Sequence, residues 1–326
     1  MNSPAPRISV IIPLYNQAPY IQHTVESVLN QTVQDFEILV IDDGSTDGGG
    51  EVVETIDDPK VRLIRQENSG VSTARNRGAR DAKGSIISFL DADDEWFPDF
   101  LETILSLADE YPKCSVYATS YIMKNPEGEK QAPLKRCFPS LDASFVFDNY
   151  FEAAAVSSPP FCVGTVAVRK AAFEEIGGFS ENIFSGEEDL VTWARLHAYF
   201  DIAYSPVPKF YYWKPSFSWK HDKRVPEMTD LAGQGLVDLL RSSDVRASKK
   251  VGLRRYLALW KKIRASNWIA QGYRVKALSA IAQSLWYYPL NPKVWLYIPF
   301  LMLPSIARDT LIRFVESNRD STTGRI

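Results

Sequence analysis

Short, unbroken apolar runs alternate with stretches of helical periodicity through the first third of the chain. Three of these runs are predicted to be buried strands: Ile8–Leu14, Phe36–Ile41 and Ser85–Leu90. Between the first two, apolar side chains recur at helical spacing from Ile21 to Leu29, which is typical of an amphipathic helix. Because fully apolar strands that alternate with helices form parallel sheets covered on both faces, we expect an α/β fold with a mostly parallel, Rossmann-like sheet flanked by helices.

The same alternation continues further along the chain. Additional strands are predicted at Val61–Arg65, Cys114–Thr119, Cys162–Val168 and Phe210–Trp213, and additional helices at Val71–Ala82, Pro98–Tyr111 and after Glu187. Residues 124–160 are predicted to be a variable excursion rather than a separate domain. From residue 229 onward the signals are helical. We therefore expect two domains: 1–225, which holds the sheet, and 226–326, a helical and basic C-terminal extension.

The net charge of −3 conceals a division along the chain. Residues 207–326 carry 21 Lys and Arg against eight Asp and Glu, a net charge of +13, so the preceding residues carry −16. The acidic first part argues against a nucleic-acid surface, and the basic second part indicates an anionic partner. Trp268, Trp286 and Trp295 lie among the basic residues, as suits the headgroup layer of a membrane. Two alternatives stay open: this region docks on an anionic membrane surface, or it packs its aromatic side chains internally.

Cysteine usage and the N-terminal residues bear on the compartment. The three cysteines are odd in number and lack the spacing of metal ligands, so a disulfide-bonded scaffold is not expected. Residues 1–7 are polar and lack the apolar core of a secretory leader. We expect a cytoplasmic protein, peripheral on the inner face of the cell membrane if the basic region docks there.

Three apolar strands are each followed closely by residues that can bind ligands: Tyr15, Asp42 and Asp91. In open α/β sheets, ligands bind beyond the carboxyl ends of the strands, so these residues are expected to converge on one crevice. Asp93 stands two positions after Asp91, and alternate side chains of an extended segment share a face. Carboxylate oxygens suit Mg²⁺ or Mn²⁺, ions that bind few protein ligands together with substrate phosphates.

Four motifs, in a fixed order, carry a resemblance to a known family. They are Pro13–Asn16, Asp42–Asp47, Asn68–Gly78 and Asp91–Asp93. The set resembles the inverting, nucleotide-sugar-dependent glycosyltransferases of family two, which have the GT-A fold, over roughly residues 8–215. The resemblance implies a metal-dependent enzyme that moves a sugar from a nucleotide-diphosphate donor, most often a UDP-sugar. The acceptor would be a glycan or a lipid-linked molecule in surface polysaccharide biosynthesis.

The resemblance also implies roles for single residues. By their positions in the motifs, Pro13, Tyr15 and Asp42 would bind the donor, with Tyr15 and Asp42 at its nucleobase. Asp91 would contact the donor ribose, and Asp93, with Asp91 as a second candidate ligand, would hold a Mn²⁺ or Mg²⁺ ion against the phosphates. Residue type alone leaves alternatives open, with Tyr15 as a half-buried aromatic at a strand end and Asp42 as a turn or capping residue.

Arg75 and the pair Glu188–Asp189 complete the predicted site. Arg75, on the helix after Gly70, would either contact a donor phosphate or form a structural ion pair. Asp189 is the predicted general base, because Glu188–Asp189 resembles the family's Glu-Asp motif at the start of a helix. The helix N-terminus is expected to keep this carboxylate ionised, ready to accept the proton of the attacking hydroxyl. Glu188 is predicted as the alternative base or as a group that orients the acceptor.

Two other classes of function fit part of the pattern. A nucleotidyltransferase also uses an Asp-x-Asp pair and a nucleotide, but it requires a basic, glycine-rich phosphate loop that Pro13–Tyr20 does not provide. A catalytically silent subunit that binds a sugar nucleotide would not need both Asp93 and Asp189. An enzyme of the glycosyltransferase class is therefore the favoured prediction, and the sequence does not predict its oligomeric state.

Overall fold

The structure is a computed structural model and describes residues 5–125, 128–131, 143–156, 159–181, 187–213, 229–290 and 292–295. Across these residues one ten-stranded sheet forms the core. Its strands are β1 (Ile8–Leu14), β2 (Phe36–Asp42), β3 (Val61–Arg65), β4 (Ile86–Phe89), β5 (Glu95–Trp96), β6 (Val116–Asn125), β7 (Gly128–Gln131), β8 (Phe145–Val146), β9 (Val166–Arg169) and β10 (Ile202–Trp213). The helices are α1 (Ala18–Leu29), α2 (Gly49–Glu54), α3 (Val71–Asp81), α4 (Phe100–Glu110), α5 (Tyr150–Val156), α6 (Lys170–Glu175), α7 (Glu188–Tyr199), α8 (Leu231–Arg241), α9 (Ala247–Ala270), α10 (Arg274–Tyr287) and α11 (Pro292–Trp295).

The strand order is β3-β2-β1-β4-β9-β6-β10-β5, with β7 beside β6 and β8 beside β10. Strands β3, β2, β1 and β4 are mutually parallel. Strand β9 runs antiparallel between β4 and β6, and β10 is parallel to β6. Six of the described strands thus point the same way, which confirms the mostly parallel, Rossmann-like sheet predicted from the sequence.

Helices cover both faces of the sheet. On one face, Ile8, Val10 and Ile12 of β1 belong to a buried cluster that includes apolar side chains of α1 and α4. Ile11 points to the opposite face, where α3 lies so close that a Cβ added at Gly78 would stand 2.4 Å from Ile11 Cγ2. Both faces of β1 are therefore buried, which explains a sequence that is apolar at every position except Ser9.

The last strand is longer than predicted. β10 spans Ile202–Trp213 rather than Phe210–Trp213. Pro206 and Pro208 conceal its first half in the sequence, because proline cannot donate a hydrogen bond to a strand ladder. The structure accommodates them through shifts of register against β6 on either side of Pro208. The region that precedes Phe210 is therefore part of the sheet.

The chain divides into two compact units. The first consists of Met1–Trp219 and Thr229–Leu253 and contains the sheet, and the second consists of Lys220–Met228 and Arg254–Ile326. In the first unit, α8 packs against α7. The predicted limits 1–225 and 226–326 meet outside the described residues and stay a prediction. None of the helices that the structure describes has the length and apolar character needed to span a lipid bilayer.

Candidate active site

The carboxyl ends of β1, β2 and β4 lie side by side. Leu14, the last residue of β1, pairs with Asp42, the last residue of β2. Ile11 pairs with Phe89, where β4 ends. The loops that follow these three strands therefore leave the sheet at one edge, which is where open α/β sheets bind ligands.

Hydrogen bonds connect the loop of the first motif, after β1, to the loop of the second motif, after β2. Pro13 is buried within β1, and Tyr15 is 50% exposed just after it. Asn16 Oδ1 accepts a hydrogen bond from the backbone N–H of Thr46 at 2.8 Å. Asp47 Oδ2 accepts one from the N–H of Ala18, the first residue of α1, at 2.8 Å. These bonds fix the loop that presents the Tyr15 ring to solvent, so a nucleobase could stack there without reordering the backbone.

Asp42 is buried, and its carboxylate has partners within the protein. Oδ1 accepts a hydrogen bond from the N–H of Ser45 at 2.9 Å, and Oδ2 lies 3.6 Å from Nε of Arg65. A Cβ added at Gly50 would stand 2.5 Å from Oδ2, so the glycine leaves room for the carboxylate. These contacts match the turn role that residue type suggests, and a contact with the nucleobase stays a prediction.

Asp43 has a positioning role that the sequence analysis missed. Its Oδ1 accepts hydrogen bonds from Ser69 N at 2.9 Å and from Gln66 Nε2 at 2.8 Å. Its Oδ2 accepts one from the N–H of Gly70, the residue before α3, at 2.8 Å. Asp43 thus joins the second motif to the third. Its position directly after a strand end was the only signal in the sequence.

The acidic loop after β4 is fixed by α1. Thr24 Oγ1 lies within hydrogen-bond distance of the carbonyl oxygens of Ala92 (2.8 Å) and Asp94 (3.0 Å). The N–H of Asp94 donates to the carbonyl of Asp91 at 3.1 Å. Residues 91–94 therefore form a turn, which corrects the extended geometry expected for Asp91 and Asp93. These two side chains are brought together by the turn rather than by strand alternation.

Three carboxylates crowd this turn. Burial and the charges of Asp91 and Asp93 raise the pKa of Asp94 well above its usual range. The pKa of Asp93 is raised as well, first by partial desolvation and second by Asp91. Carboxylates that raise one another's pKa are stabilised by a bound cation. The turn is therefore an electrostatically suitable place for a divalent ion.

The donor set fits an ion shared with a substrate. Among the described residues, no group of three or more His, Cys, Asp or Glu side chains is arranged so that it could hold a metal ion by itself. A Mg²⁺ or Mn²⁺ ion that is completed by phosphate oxygens and water needs only one or two carboxylates. Asp93, which is exposed, and Asp91, whose side chain is 39% exposed, meet that requirement.

Arg75 connects the acidic turn to the start of α7. Its side chain is 4% exposed, and its guanidinium lies 2.6 Å from Asp91 Oδ1 and 3.2 Å from Glu188 Oε1. The ring of Phe179 lies beside it, with its centroid 5.2 Å from Cζ. Burial opposes the charge, but Asp91 and Glu188 outweigh it and raise the pKa of Arg75. Of the two roles predicted for Arg75, the structure shows the ion pair, and a phosphate contact stays a prediction.

Asp189 lies in the first turn of α7, next to that ion pair. Its Oδ1 accepts a hydrogen bond from the N–H of Leu190 at 2.6 Å. Burial, followed by the charge of Glu188, raises its pKa to about 7. Burial therefore outweighs the helix terminus and Arg75, so this carboxylate is only partly ionised near neutral pH, less than the sequence analysis predicts. A base works best with a pKa near the operating pH, so Asp189 suits the role better than Glu188, which is bound to Arg75.

Asn76 holds the turn that precedes α7, which the sequence analysis also missed. Its Nδ2 donates to the carbonyl of Phe179 and to Glu181 Oε1, and its Oδ1 accepts from the N–H of Phe179, all at 2.9 Å. Gly178 has φ +69°, and a Cβ there would stand 2.5 Å from Asn76 Oδ1. The partners of Asn76 are more than 100 residues away in sequence, so no local pattern could reveal them. The third motif therefore positions the later half of the site.

Cys162 and Tyr212 lie near the same carboxylates. Burial, followed by Cys162, raises the pKa of Tyr212 to about 12, and Asp94 and Asp189 add to the effect. Burial, followed by Asp94, raises the pKa of the Cys162 thiol. Both side chains are therefore within range of the charges of the acidic turn and of the start of α7.

The family model for glycosyl transferase family 2 matches residues 9–177, just over half of the chain. The chain belongs to glycosyl transferase family 2. This membership confirms the resemblance drawn from the four motifs, all of which fall inside the matched residues. The part of α7 that carries Glu188 and Asp189 lies beyond them.

Relatives in family 2 come from several bacteria. The putative teichuronic acid biosynthesis glycosyltransferase TuaG of Bacillus subtilis is 32% identical over 194 residues, which cover 59% of this chain and 72% of TuaG. An uncharacterized glycosyltransferase of Rickettsia felis is 34% identical over 183 residues, covering 56% of this chain and 29% of the relative. The chain spans 25–31% of the length of the first curated relatives that it matches.

Solved structures share the fold. The S. aureus protein TarS, residues 1–349, in complex with UDP-GlcNAc has a TM-score of 0.65 and 19% identity, and the match covers 97% of this chain and 92% of TarS 1–349. The mannosyltransferase PcManGT of Pyrobaculum calidifontis, in complex with GDP-Man and Mn²⁺, has a TM-score of 0.58 and 21% identity, covering 98% of this chain and 84% of PcManGT. The predicted GT-A fold class is thereby confirmed.

Proposed function

We propose that this family 2 member is a metal-dependent, inverting glycosyltransferase that moves a sugar from a nucleotide-diphosphate donor to a glycan or lipid-linked acceptor. The observation that carries the proposal is the double ion pair of Arg75. Through it, the turn that contains Asp91 and the helix start that contains Asp189 share one buried cation. This adjacency supports a donor site and a base that act together, as a transfer reaction requires.

A UDP-sugar is the proposed donor. Tyr15 offers an exposed ring at the end of β1, and the acidic turn fits an ion that a diphosphate would complete. The structural relative TarS binds UDP-GlcNAc, whereas PcManGT binds GDP-Man with Mn²⁺. Both ligands are nucleotide-diphosphate sugars, which supports the class of donor. The choice of uracil rests on the family resemblance.

The proposed reaction is a single displacement. The acceptor oxygen forms a bond to the anomeric carbon while the bond from that carbon to the diphosphate oxygen breaks on the opposite side, so the configuration inverts. Asp189 takes the proton of the acceptor hydroxyl, for which a pKa of about 7 is suited. Arg75 forms an ion pair with Glu188 beside it and so holds the start of α7. A Mg²⁺ or Mn²⁺ ion bound at Asp93 and Asp91 would neutralise charge on the leaving diphosphate.

The proposed pathway is the synthesis of a surface polysaccharide. TuaG is named for teichuronic acid biosynthesis, and a chondroitin synthase of Pasteurella multocida is 42% identical over 127 residues, which cover 38% of this chain and 13% of the synthase. A lipid-linked acceptor would bring the protein to the cytoplasmic face of the membrane as a peripheral protein. The basic C-terminal region supports that location.

A donor panel tests the proposal. The purified protein is incubated with UDP-, GDP- and other nucleotide sugars in the presence of Mn²⁺ or Mg²⁺, and the released nucleoside diphosphate is measured. We expect slow hydrolysis of one donor class, abolished by a chelator and by Asp93→Asn. A donor that binds but is never turned over, with or without added glycans, would instead support the catalytically silent subunit. Turnover that is unchanged by the chelator would overturn the metal assignment.

A further inference from the structure

One face of α10 is apolar and exposed. Val275 is 81% exposed, Trp286 83% and Leu278 49%, and Leu290, just after the helix, is 80% exposed. At about 100° per residue, Val275 and Trp286 point in directions only about 20° apart around the helix axis, and Leu278 lies about 60° from Val275. These side chains therefore form one stripe, here called the α10 stripe: Val275, Leu278, Trp286 and the adjoining Leu290.

The α10 stripe is not the face that stabilises the fold of its own unit. The opposite face of α10 supplies Ala277, Ala280 and Ile281 to a buried cluster with residues of α9. Ser284 on that face donates a hydrogen bond to the carbonyl of Ala258 at 2.7 Å. The helix is thus already packed on one side, and the apolar side chains on the other side serve no core that the structure describes. Exposed apolar clusters of this kind mark interaction sites.

The positive charge of the residues around the α10 stripe indicates which class of partner the stripe binds. Residues 254–308 contain nine Lys and Arg and no Asp or Glu. Lys261 and Arg264 are buried, whereas Arg254, Arg255 and Arg274 are exposed, so the surface charge of this segment is positive only. A long segment of one sign suits a partner that is uniformly anionic and extended, as a layer of acidic lipid headgroups is.

We propose that the α10 stripe docks this protein on an anionic lipid bilayer. Trp286 and Leu290 enter the headgroup layer, where tryptophan is favoured, and the exposed Arg274, next to Val275 in the sequence, lies over the lipid phosphates. The aromatic pair Trp268 and Tyr273 stacks with Lys276, whose Nζ lies 4.6 Å and 4.8 Å from the two ring centroids. Only the identity of the membrane in the cell rests on the proposed function, because binding to lipid does not require catalysis.

Vesicle co-sedimentation of the full chain tests the proposal. The probes are vesicles of phosphatidylglycerol mixed with phosphatidylcholine, and vesicles of phosphatidylcholine alone. The docking variant carries Val275→Ser, Trp286→Ser and Leu290→Ser, all at positions that are at least 80% exposed. The matched control is Val146→Ser, at a valine of β8 in the first unit that is 42% exposed.

We expect the wild type and the control to bind anionic vesicles, less strongly as salt rises, and to bind neutral vesicles more weakly. The docking variant should lose tenfold or more in partition coefficient, since three apolar side chains no longer leave water. Equal binding by the docking variant, or no binding by the wild type, would overturn the proposal. Self-association that the docking variant abolishes, without vesicle binding, would overturn it in favour of a contact between copies.

The same samples separate this proposal from the proposed function. Donor turnover is measured on each protein in the absence of vesicles. We expect the docking variant to turn over donor at the wild-type rate, because its substitutions lie outside the candidate active site. Vesicle binding without turnover would contradict the proposed function alone, and turnover without vesicle binding would contradict the docking proposal alone.

Discussion

The double ion pair of Arg75 yields a prediction of large magnitude. Replacing Arg75 by Met keeps most of the side-chain volume and removes the charge. The carboxylate of Glu188, 8% exposed, then stays buried without its cation, whereas that of Asp91, 39% exposed, can turn to water. Breaking a buried pair by removing one partner costs about 3–5 kcal/mol. We expect Arg75→Met to lower the free energy of unfolding by that amount, with most of the loss due to Glu188.

Urea unfolding followed by circular dichroism at pH 8 measures this loss. The matched control is Arg77→Met on the same helix, because Arg77 pairs with Asp81 at 2.8 Å on the surface. Exposed pairs of this spacing contribute about 0.3–0.5 kcal/mol, so the control should remain close to the wild type. In a Glu188→Gln background, Arg75→Met should cost less than in the wild type by about 0.5–3 kcal/mol, the range of measured couplings.

Two results would refute the reasoning on Arg75. One is a loss of stability no larger than that of Arg77→Met, which would mean that the carboxylates are solvated without Arg75. The other is an equal cost of Arg75→Met with Glu or with Gln at position 188. In that case the arginine would act through Asp91 or through packing against Phe179 rather than through Glu188.

Three further predictions follow from single contacts. The pKa of the Asp189 carboxyl is raised to about 7 in the folded protein, so this group lowers the free energy of unfolding as the pH rises from its unfolded pKa near 4 to about 7. In urea unfolding, Asp189→Asn should therefore stabilise the protein more at pH 8 than at pH 5. An effect of the substitution that does not depend on pH would contradict the raised pKa. Gly78→Ala should cost about 1–3 kcal/mol of stability, because the new Cβ would meet Ile11 Cγ2 at 2.4 Å, and Ile11→Ala should recover part of the loss in the double variant. Asn76→Ala should speed amide hydrogen exchange at Phe179, whose N–H donates a hydrogen bond to Asn76 Oδ1. Unchanged exchange at Phe179 would show that the turn is stable without the Asn76 side chain.

Much of the fold could be predicted because its signals are local. β1 and β2 are buried at every position, and their sequences, apolar except for Ser9, Glu37 and the terminal Asp42, identify them without other information. The helical character of the region from residue 229 onward, which contains α9 and α10, was likewise predicted, although the limits of the single helices were not. β10 was found only in its second half, because Pro206 and Pro208 contradict a strand by every local rule, and the compensating register shifts depend on β6.

The sequence indicated which residues belong to the candidate site better than it indicated the contacts between them. Motif order indicated Asp91, Asp189 and Arg75, but the ion pair between Arg75 and Glu188 joins positions 113 residues apart. The direction of the Asp189 pKa shift depends on burial, which the sequence does not encode locally. Asn76 was missed for the same reason, since its side chain acts on a turn that only the folded chain brings near.

The central claim is that Asp189 takes the acceptor proton while the donor is held elsewhere, at the turn of Asp91 and Asp93. The most direct measurement compares Asp189→Asn with the wild type in two quantities: the Kd for UDP in Mn²⁺, and the transfer rate with the donor that the panel identifies. We predict an unchanged Kd and a transfer rate reduced by roughly 10²-fold or more, as for loss of a positioned general base. A transfer rate near that of the wild type, or a loss of UDP affinity equal to the loss of rate, would contradict the account.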